Sequence, residues 1–437
     1  MNLRFLFALA VSKAVYHGMR LLGRQASYLP GWFAVKLCPD YLRHIRKAET
    51  VICVTGTDGK TTTANLLSDL LTAGGRKVAN NRIGSNTEFG IATAMTCSVT
   101  LGNRCRVDAV VLEVDEHYAR IVCPKVRSDY IVITNVLRDS LQRNAHPEYV
   151  AGKLSQIDCP HAKLILNADE LCSALLLPEN PRVYYAIARQ EGDGVIPPNR
   201  VNDCPDCPRC GAALDYDYVR YAHVGHVHCE KCGFASPAAD WLAEGLDTKN
   251  RRLTLRHGDR VYDLPMLHDS VFNIYNELAA VAVLYEMGLS ADAIRAALEA
   301  TALTKTRLTE VQVGGVTVVS MMAKSNNSLP VSMVFDYIRK KPGKKAVILA
   351  LDDLDESKSS ERIGWIYDTD YAFLNDENIV QIIATGVRCW DHEVRLLLAG
   401  VAMKFLFPAA LERCRATLLE LLGADTDFVE VFSAAGR

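Results

Sequence analysis

A run of roughly 18 apolar residues, the minimum for a helix that crosses a bilayer, occurs nowhere in the 437-residue chain. The N-terminal stretch MNLRFLFALAVSKAVYHGMRLLG comes nearest, and Arg4 would suit the basic start of a secretory signal. Its apolar part is short, however, no clear small-residue cleavage site follows, and Lys13, His17 and Arg20 recur at helical spacing. The pattern predicts an amphipathic helix docked on the protein body, with a membrane surface as the alternative. An excess of one charge sign is also missing: 49 Lys and Arg stand against 51 Asp and Glu, a formal net charge of −2. That balance supplies no field to draw nucleic acid or an anionic membrane. There is no internal repeat and no low-complexity tract. Nor is there a Gly-x-Cys-x-Gly elbow, the sharp turn on which a class I glutaminase presents its thiolate. Cys389 and His392 in RCWDHE make only a superficial Cys–His pair at a helix start.

Cysteine, by contrast, is plentiful, with 14 residues. A disulfide framework belongs to short secreted chains, so the scattered cysteines read as reduced thiols of a cytoplasmic protein. The exception is the cluster in CPRCGAALDYDYVRYAHVGHVHCEKCGF, where Cys207-x-x-Cys210 and Cys229-x-x-Cys232 are separated by 18 residues. That spacing suits a four-cysteine zinc ribbon, and the glycines that follow, Gly211 and Gly233, allow the sharp turns that aim backbone N–H groups at thiolates. Four soft ligands leave no position for water, so the site is expected to be structural, with a binding energy of ~10–16 kcal/mol to order a small insertion. Cys204 with Cys207 is a competing pair, and His223, His226 and His228 are alternative ligands that otherwise decorate the ribbon strands. The segment is poor in Lys and Arg, which argues against nucleic acid.

Along the chain, strand-like runs such as TVICVTG, DAVVLEVD, SDYIVITNVL and AKLILNAD alternate with helical stretches, the rhythm of an α/β domain with a mainly parallel sheet. A second, shorter alternation starts near residue 310. RKKPGKK (339–345) reads as a solvated turn before a strand.

The loop TGTDGKTT follows a strand and opens a helix, the setting in which backbone N–H groups and a helix N-terminus hold phosphate oxygens. Lys60 would face the β- and γ-phosphates, and the Thr61 hydroxyl would reach Mg²⁺. Strict Walker A spacing would need glycine where Val54 stands.

TGTDGKTTT resembles the TGTNGKT signature of the Mur ligase and folylpolyglutamate synthetase superfamily, with Asp58 in place of Asn. Those enzymes use ATP to convert a carboxylate into an acyl phosphate that an amine attacks. The resemblance implies that Gly56, Thr57, Gly59, Lys60, Thr61 and Thr62 bind ATP and that Glu113 of VLEVDE joins Thr61 on Mg²⁺. It puts Asn276 of FNIYN near the adenine, with Asn273 as the alternative. With the ribbon included, nearly the whole chain resembles the MurT branch: YLPGW, RIGSNTEFGIATAM, TNVLRDSLQRNAHPE, LILNADE, GWIYDTDY and IIATGVRCWDHEVRLLLAG all have counterparts there. The family's LAKNPAG is replaced by MAKSNNSLP, which retains Lys324, and its acidic ADGRDVSW by LDESKSSERIGW.

The resemblance implies an α/β architecture. An N-terminal helical segment (1–48) precedes a Mur-ligase-type P-loop central domain (49–305, ribbon at 200–240) and a smaller Rossmann-like C-terminal domain (306–437). It also implies ATP-dependent amidation of the D-glutamate α-carboxylate of lipid II, or of a soluble peptidoglycan precursor, to D-isoglutamine. Ammonia would come from a separate GatD-like glutaminase, whose Cys–His pair Asp368, or alternatively Asp370, would complete. Lys60 and Glu113 would be catalytic with Asp368. Localisation would be cytoplasmic, with at most peripheral contact at the inner face of the membrane. Two rival readings are a direct amino-acid ligase of the Mur or folylpolyglutamate class and a catalytically weakened nucleotide-binding scaffold.

Overall fold

The computed structural model describes residues 2–82, 84–139, 146–301, 308–313, 316–323, 327–351, 363–386, 388–401, 406–409 and 428–433. Lys324 and the DESKSSER and LQRNA segments lie outside these residues. The chain divides into two compact units. Met1–Leu137, Pro147–Ile196 and Cys204–Leu303 form the first; Arg138–His146, Pro197–Asp203 and Thr304–Arg437 form the second.

In the first unit the strands are β1 (Thr50–Thr55), β2 (Val78–Asn80), β3 (Ala109–Glu113), β4 (Tyr130–Ile133), β5 (Lys163–Asn167), β6 (Arg182–Ile187), β7 (Asp215–Tyr221), β8 (Val224–His228), β9 (Trp241–Asp247), β10 (Arg252–His257) and β11 (Arg260–Pro265). Nine of them make one sheet in the order β11-β10-β9-β6-β5-β4-β1-β3-β2. The pairs from β9 through β6 to β2 are parallel, and β10 and β11 add an antiparallel edge. A parallel strand is covered on both faces, so it must be apolar throughout rather than alternating. β1 meets that demand, with Val51–Thr55 all buried.

The N-terminal helix Leu3–Leu21 starts where the Asn2 side chain accepts from Phe5 N–H, and it buries Phe5, Ala8 and Leu9 in this core. Lys13 Nζ pins it by donating to Thr96 O and Val99 O at 2.9 and 2.7 Å. Its other face leaves Leu3 and Phe7 exposed. β7 and β8 form the antiparallel ribbon hairpin over its own small core, which includes Leu214, Tyr216, Val227 and Phe234.

The second unit has β12 (Leu308–Val313), β13 (Val316–Met322), β14 (Lys345–Ala350), β15 (Ile379–Thr385), β16 (Leu406–Ala409) and β17 (Phe428–Ser433). Their order is β12-β13-β17-β14-β15-β16, parallel except for the β12–β13 hairpin. Phe335, Val347, Leu349, Trp365, Tyr371 and Leu396 are among its core. Of the RKKPGKK stretch only residues 341–344 turn: Arg339 and Lys340 end the helix Ser328–Lys340, and Lys345 opens β14, where it is fully buried and its Nζ donates to Lys341 O and Gly343 O at 2.6 and 3.1 Å.

His392 is equally buried, with Nδ1 2.6 Å from the Tyr371 hydroxyl. Burial pushes its imidazole down to about 4. The unfolded chain therefore binds a proton below about pH 6.5 that the folded unit refuses. Stability should be complete above that pH and fall as pH drops toward 4, by roughly 3 kcal/mol in all. Denaturant melts of the wild type and of His392→Gln across this range check the sign; equal slopes would remove His392 as the cause.

Candidate active site

β1 ends at Thr55, and the helix Lys60–Ala73 starts four residues after Gly56. Between them the chain must reverse, and two glycines make that possible. Gly56 has φ +123°, and a Cβ there would lie 2.4 Å from Thr134 Oγ1 and 2.8 Å from Asn135 O. Gly59 has φ +84°, and its Cβ would meet Asn276 Oδ1 at 2.2 Å. Both positions demand glycine for conformation, and Gly56 demands it for space as well, since the Asn135 backbone stands within 3.0 Å.

The TNVLR segment after β4 clasps the loop. Thr57 N–H donates to Asn135 O at 2.9 Å, and Asp58 N–H to Asn135 Oδ1 at 2.9 Å. Asp58 O accepts from Thr134 Oγ1 and Asn135 Nδ2 at 2.7 and 3.0 Å, while Leu137 N–H donates to Thr57 Oγ1. Lys60 Nζ is gathered at the loop's mouth by Gly56 O (2.5 Å), Thr57 O (3.0 Å) and Glu116 Oε1 (2.5 Å).

Glu116 is the residue that sequence reasoning missed. It is buried at the start of the helix Glu116–Val126, and burial raises its carboxyl while the Lys60 ammonium opposes the rise. VLEVDE offers three carboxylates, and Asp115 is engaged in capping that helix through His117 N–H. Glu113 ends β3 opposite Val54 of β1. Asn86 Nδ2 donates to its carboxylate at 3.2 Å, and Asn81 brackets its backbone at both N–H and C=O. Thr61 is exposed in the first turn of its helix, and Thr62 is half-buried. Asn276 is buried against Gly59, and its Nδ2 donates to Asn273 Oδ1 at 3.4 Å, so both asparagines of FNIYN stand at this end of the helix Val271–Glu286.

A second missed group lies beneath. Asp169, fully buried at the end of LILNAD, accepts from Tyr218 and Tyr275 hydroxyls at 2.8 and 2.7 Å and from Arg220 at 3.2 Å. Arg220, also buried, pairs with Asp193 at 2.9 Å. Tyr218 and Arg220 belong to ribbon strand β7, whereas Tyr275 directly precedes Asn276. The ribbon thus reaches the loop's helical neighbour through a desolvated hub.

In the ribbon, Cys207 and Cys232 sulfurs are 3.6 Å apart, as are those of Cys210 and Cys229, and all four lie within 4.8 Å of one another. Four sulfurs about 2.3 Å from a central zinc would be separated by about 3.8 Å, so the cluster is compatible with a structural zinc. Gly211 and Gly233, at φ +68° and +69°, close the two knuckles by donating to Cys207 O and Cys229 O. Cys204 does not join this set. It forms a disulfide with Cys172, which corrects the expectation of uniformly reduced thiols: β5's exit and the entrance to the ribbon bring residues 32 apart together. His226 faces Asp217 at 2.7 Å on the hairpin surface. His223, however, is buried on Glu170 rather than decorating a strand.

In the second unit, the two candidate aspartates are unlike. Asp370 is buried; it accepts from Asn199 Nδ2 and Arg200 N–H at 2.8 and 2.7 Å, and its own N–H donates to Ser332 Oγ. Its carboxylate holds the 197–203 segment in place. Asp368 is 38% exposed and accepts from Arg138 Nη1 at 2.9 Å; Arg138 also pairs with Asp203.

The Mur ligase middle domain family matches residues 54–188, and the MurT ligase C-terminal family matches 325–420. The chain is 29% identical over 423 residues to the lipid II isoglutaminyl synthase (glutamine-hydrolyzing) subunit MurT of Staphylococcus aureus strain COL, covering 95% of this chain and 93% of that one. It is 27% identical over 405 residues to the subunit of that name from Streptococcus pneumoniae, covering 92% and 88%. Among solved structures, a pseudomurein peptide ligase type C from Methanothermus fervidus matches with TM-score 0.67 at 21% identity, over 90% of this chain and 78% of that one. MurF from Acinetobacter baumannii matches with TM-score 0.61 at 17% identity, over 92% and 77%. These two likenesses establish the fold.

Proposed function

We propose that the chain, as a member of the MurT branch of the Mur ligase superfamily, amidates the D-glutamate α-carboxylate of lipid II with ATP and ammonia. The observation that carries this reading is the loop itself. Lys60, Gly56 and Gly59 are fixed in one cradle with Glu116 below and Asn276 alongside. Lys60 and the loop N–H groups would hold the phosphates, and Asn276 would lie by the adenine. Thr61 and Glu113 offer the hydroxyl and carboxylate oxygens that Mg²⁺ prefers, and the ion would neutralise phosphate charge. The γ-phosphoryl passes to the substrate carboxylate, ammonia attacks the acyl phosphate, and phosphate leaves. The protein contributes positioning and charge neutralisation.

Glutamine would be hydrolysed by a separate GatD-like subunit, with Asp368 orienting the imidazole of its Cys–His pair. Its exposure supports Asp368 over Asp370, whose carboxylate is engaged within its own unit. Asp368→Asn should cut glutamine-dependent amidation by up to ~10⁴-fold, the scale of an Asp→Asn change in a triad, while ammonium-driven amidation persists. Asp370→Asn should instead lower the melting temperature. Equal losses with both nitrogen sources would reject the Asp368 role.

The overall reading is tested by incubating the purified chain with lipid II, Mg²⁺-ATP and ammonium, then examining the stem peptide by mass spectrometry. Conversion of carboxylate to amide with ADP release supports it. No amide even with the glutaminase present would overturn it, and incorporation of an amino acid would favour the direct ligase.

A further inference from the structure

Three donors that the nucleotide loop and the four-cysteine knuckle leave unused come together beside them. Cys172 lies in the short helix Leu171–Ala174 after β5, Cys204 precedes the first knuckle, and His223 sits in the turn between β7 and β8. One ligand atom from each lies within 4.8 Å of the others. His223 is 1% exposed.

The roles of its two ring nitrogens follow from what each one meets. Glu170, fully buried, accepts Cys172 N–H on Oε1 (3.0 Å) and both Ser173 N–H (3.1 Å) and Val136 N–H (2.8 Å) on Oε2. Both carboxylate oxygens of Glu170 are thus placed as acceptors of backbone N–H groups. His223 Nε2, 2.9 Å from Oε1, must therefore donate. In the neutral ring Nδ1 then carries the lone pair, and it is buried with no hydrogen-bond partner among the described residues. A buried, unpartnered ring nitrogen on a histidine grouped with two sulfurs, with the other ring nitrogen fixed by a carboxylate, is the arrangement by which histidine is oriented on a metal.

We propose that Cys172, Cys204 and His223 form a second, redox-gated site of two thiolates and one imidazole for a soft divalent cation such as zinc, separate from the four-cysteine knuckle. In the disulfide state the two sulfurs are bonded to each other and the site is closed. A dithiol reductant delivers two electrons and two protons to the S–S bond, giving two thiols and the reductant's own disulfide. Metal then displaces the two thiol protons, and the Sγ atoms and His223 Nδ1 become three ligands with one position open. A disulfide oxidant such as oxidised glutathione reverses this, taking two electrons and releasing the ion. Glu170 bridges the site to Val136, whose neighbours Asn135 and Leu137 clasp the phosphate loop. Occupancy would accordingly be sensed at the loop. The inference does not depend on the amidation reading.

The test is metal content of the full chain, prepared with a phosphine reductant and zinc alone, by elemental analysis. About two zinc ions per chain are expected for the wild type, and about one for Cys172→Ser, Cys204→Ser and His223→Gln. The glutamine side chain of the His223→Gln variant retains an N–H donor for Glu170, so that variant should fold. Cobalt substitution provides a second readout: the wild type should show the spectrum of a mixed sulfur–nitrogen site superimposed on a four-sulfur one, and His223→Gln only the latter. Oxidised glutathione should release about one ion as the Cys172–Cys204 cross-link forms, detected by peptide mapping. One zinc in the reduced wild type, unchanged in all three variants, would overturn the proposal.

Discussion

Lys60→Met is expected to lower amidation by at least ~10²–10³-fold, the scale for removing one preorganised charge that stabilises a transition state. Methionine keeps the length of the side chain but leaves nothing to meet the phosphates. It also deprives Glu116 of the ammonium that opposes the upward push of burial, so Glu116 should take up a proton at higher pH than before. Breaking a buried pair by removing one partner costs about 3–5 kcal/mol when the survivor stays charged. Protonation of Glu116 relieves that cost, so the variant's stability should fall as pH rises. Glu116→Gln separates the two effects, because it keeps an acceptor for Lys60 without a charge. Rates with ammonium as nitrogen source and melts at several pH values check both parts. A Lys60→Met enzyme with more than a tenth of wild-type activity would remove Lys60 from the mechanism.

Loss of the ribbon metal is the other large effect. Cys229→Ser removes one of four sulfurs gathered within 4.8 Å, and the hairpin has only a small core to fall back on. As β7 loosens, Arg220 and Tyr218 leave Asp169, and a fully buried carboxylate loses its cation. That loss costs about 3–5 kcal/mol, which in a unit of this size lowers the melting temperature by about 10 °C. Because Tyr275 shares Asp169 and precedes Asn276, nucleotide affinity should fall as well. Zinc content, thermal melts and nucleotide titration of the variant, or of chelator-treated protein, decide it. A zinc-free chain that melts and binds ATP as before would show that the ribbon is energetically independent.

The loop and the knuckles were legible because their constraints are local. A reversal between strand and helix needs glycines at fixed offsets, and two Cys-x-x-Cys-Gly turns carry their own geometry wherever they fold. The buried parallel strands were legible too, since a strand covered on both faces cannot hide its apolar run.

What the sequence left open was decided between residues that local pattern treats alike. Glu113 and Glu116 are three positions apart in VLEVDE; only the end of β3 and the start of the next helix aim one at Asn86 and the other at Lys60. Asp368 and Asp370 are two apart in WIYDTDY; the distant Asn199 and Arg200 bury the second, while the first stays half-exposed on Arg138. Cys204 and His223, both plausible ribbon ligands by spacing, are drawn instead to Cys172 and Glu170. The sequence by itself determined the backbone motifs and the chemistry they can hold. The tertiary structure decided which carboxylate, thiol or imidazole serves them, because desolvation and partners come from segments tens to hundreds of residues away.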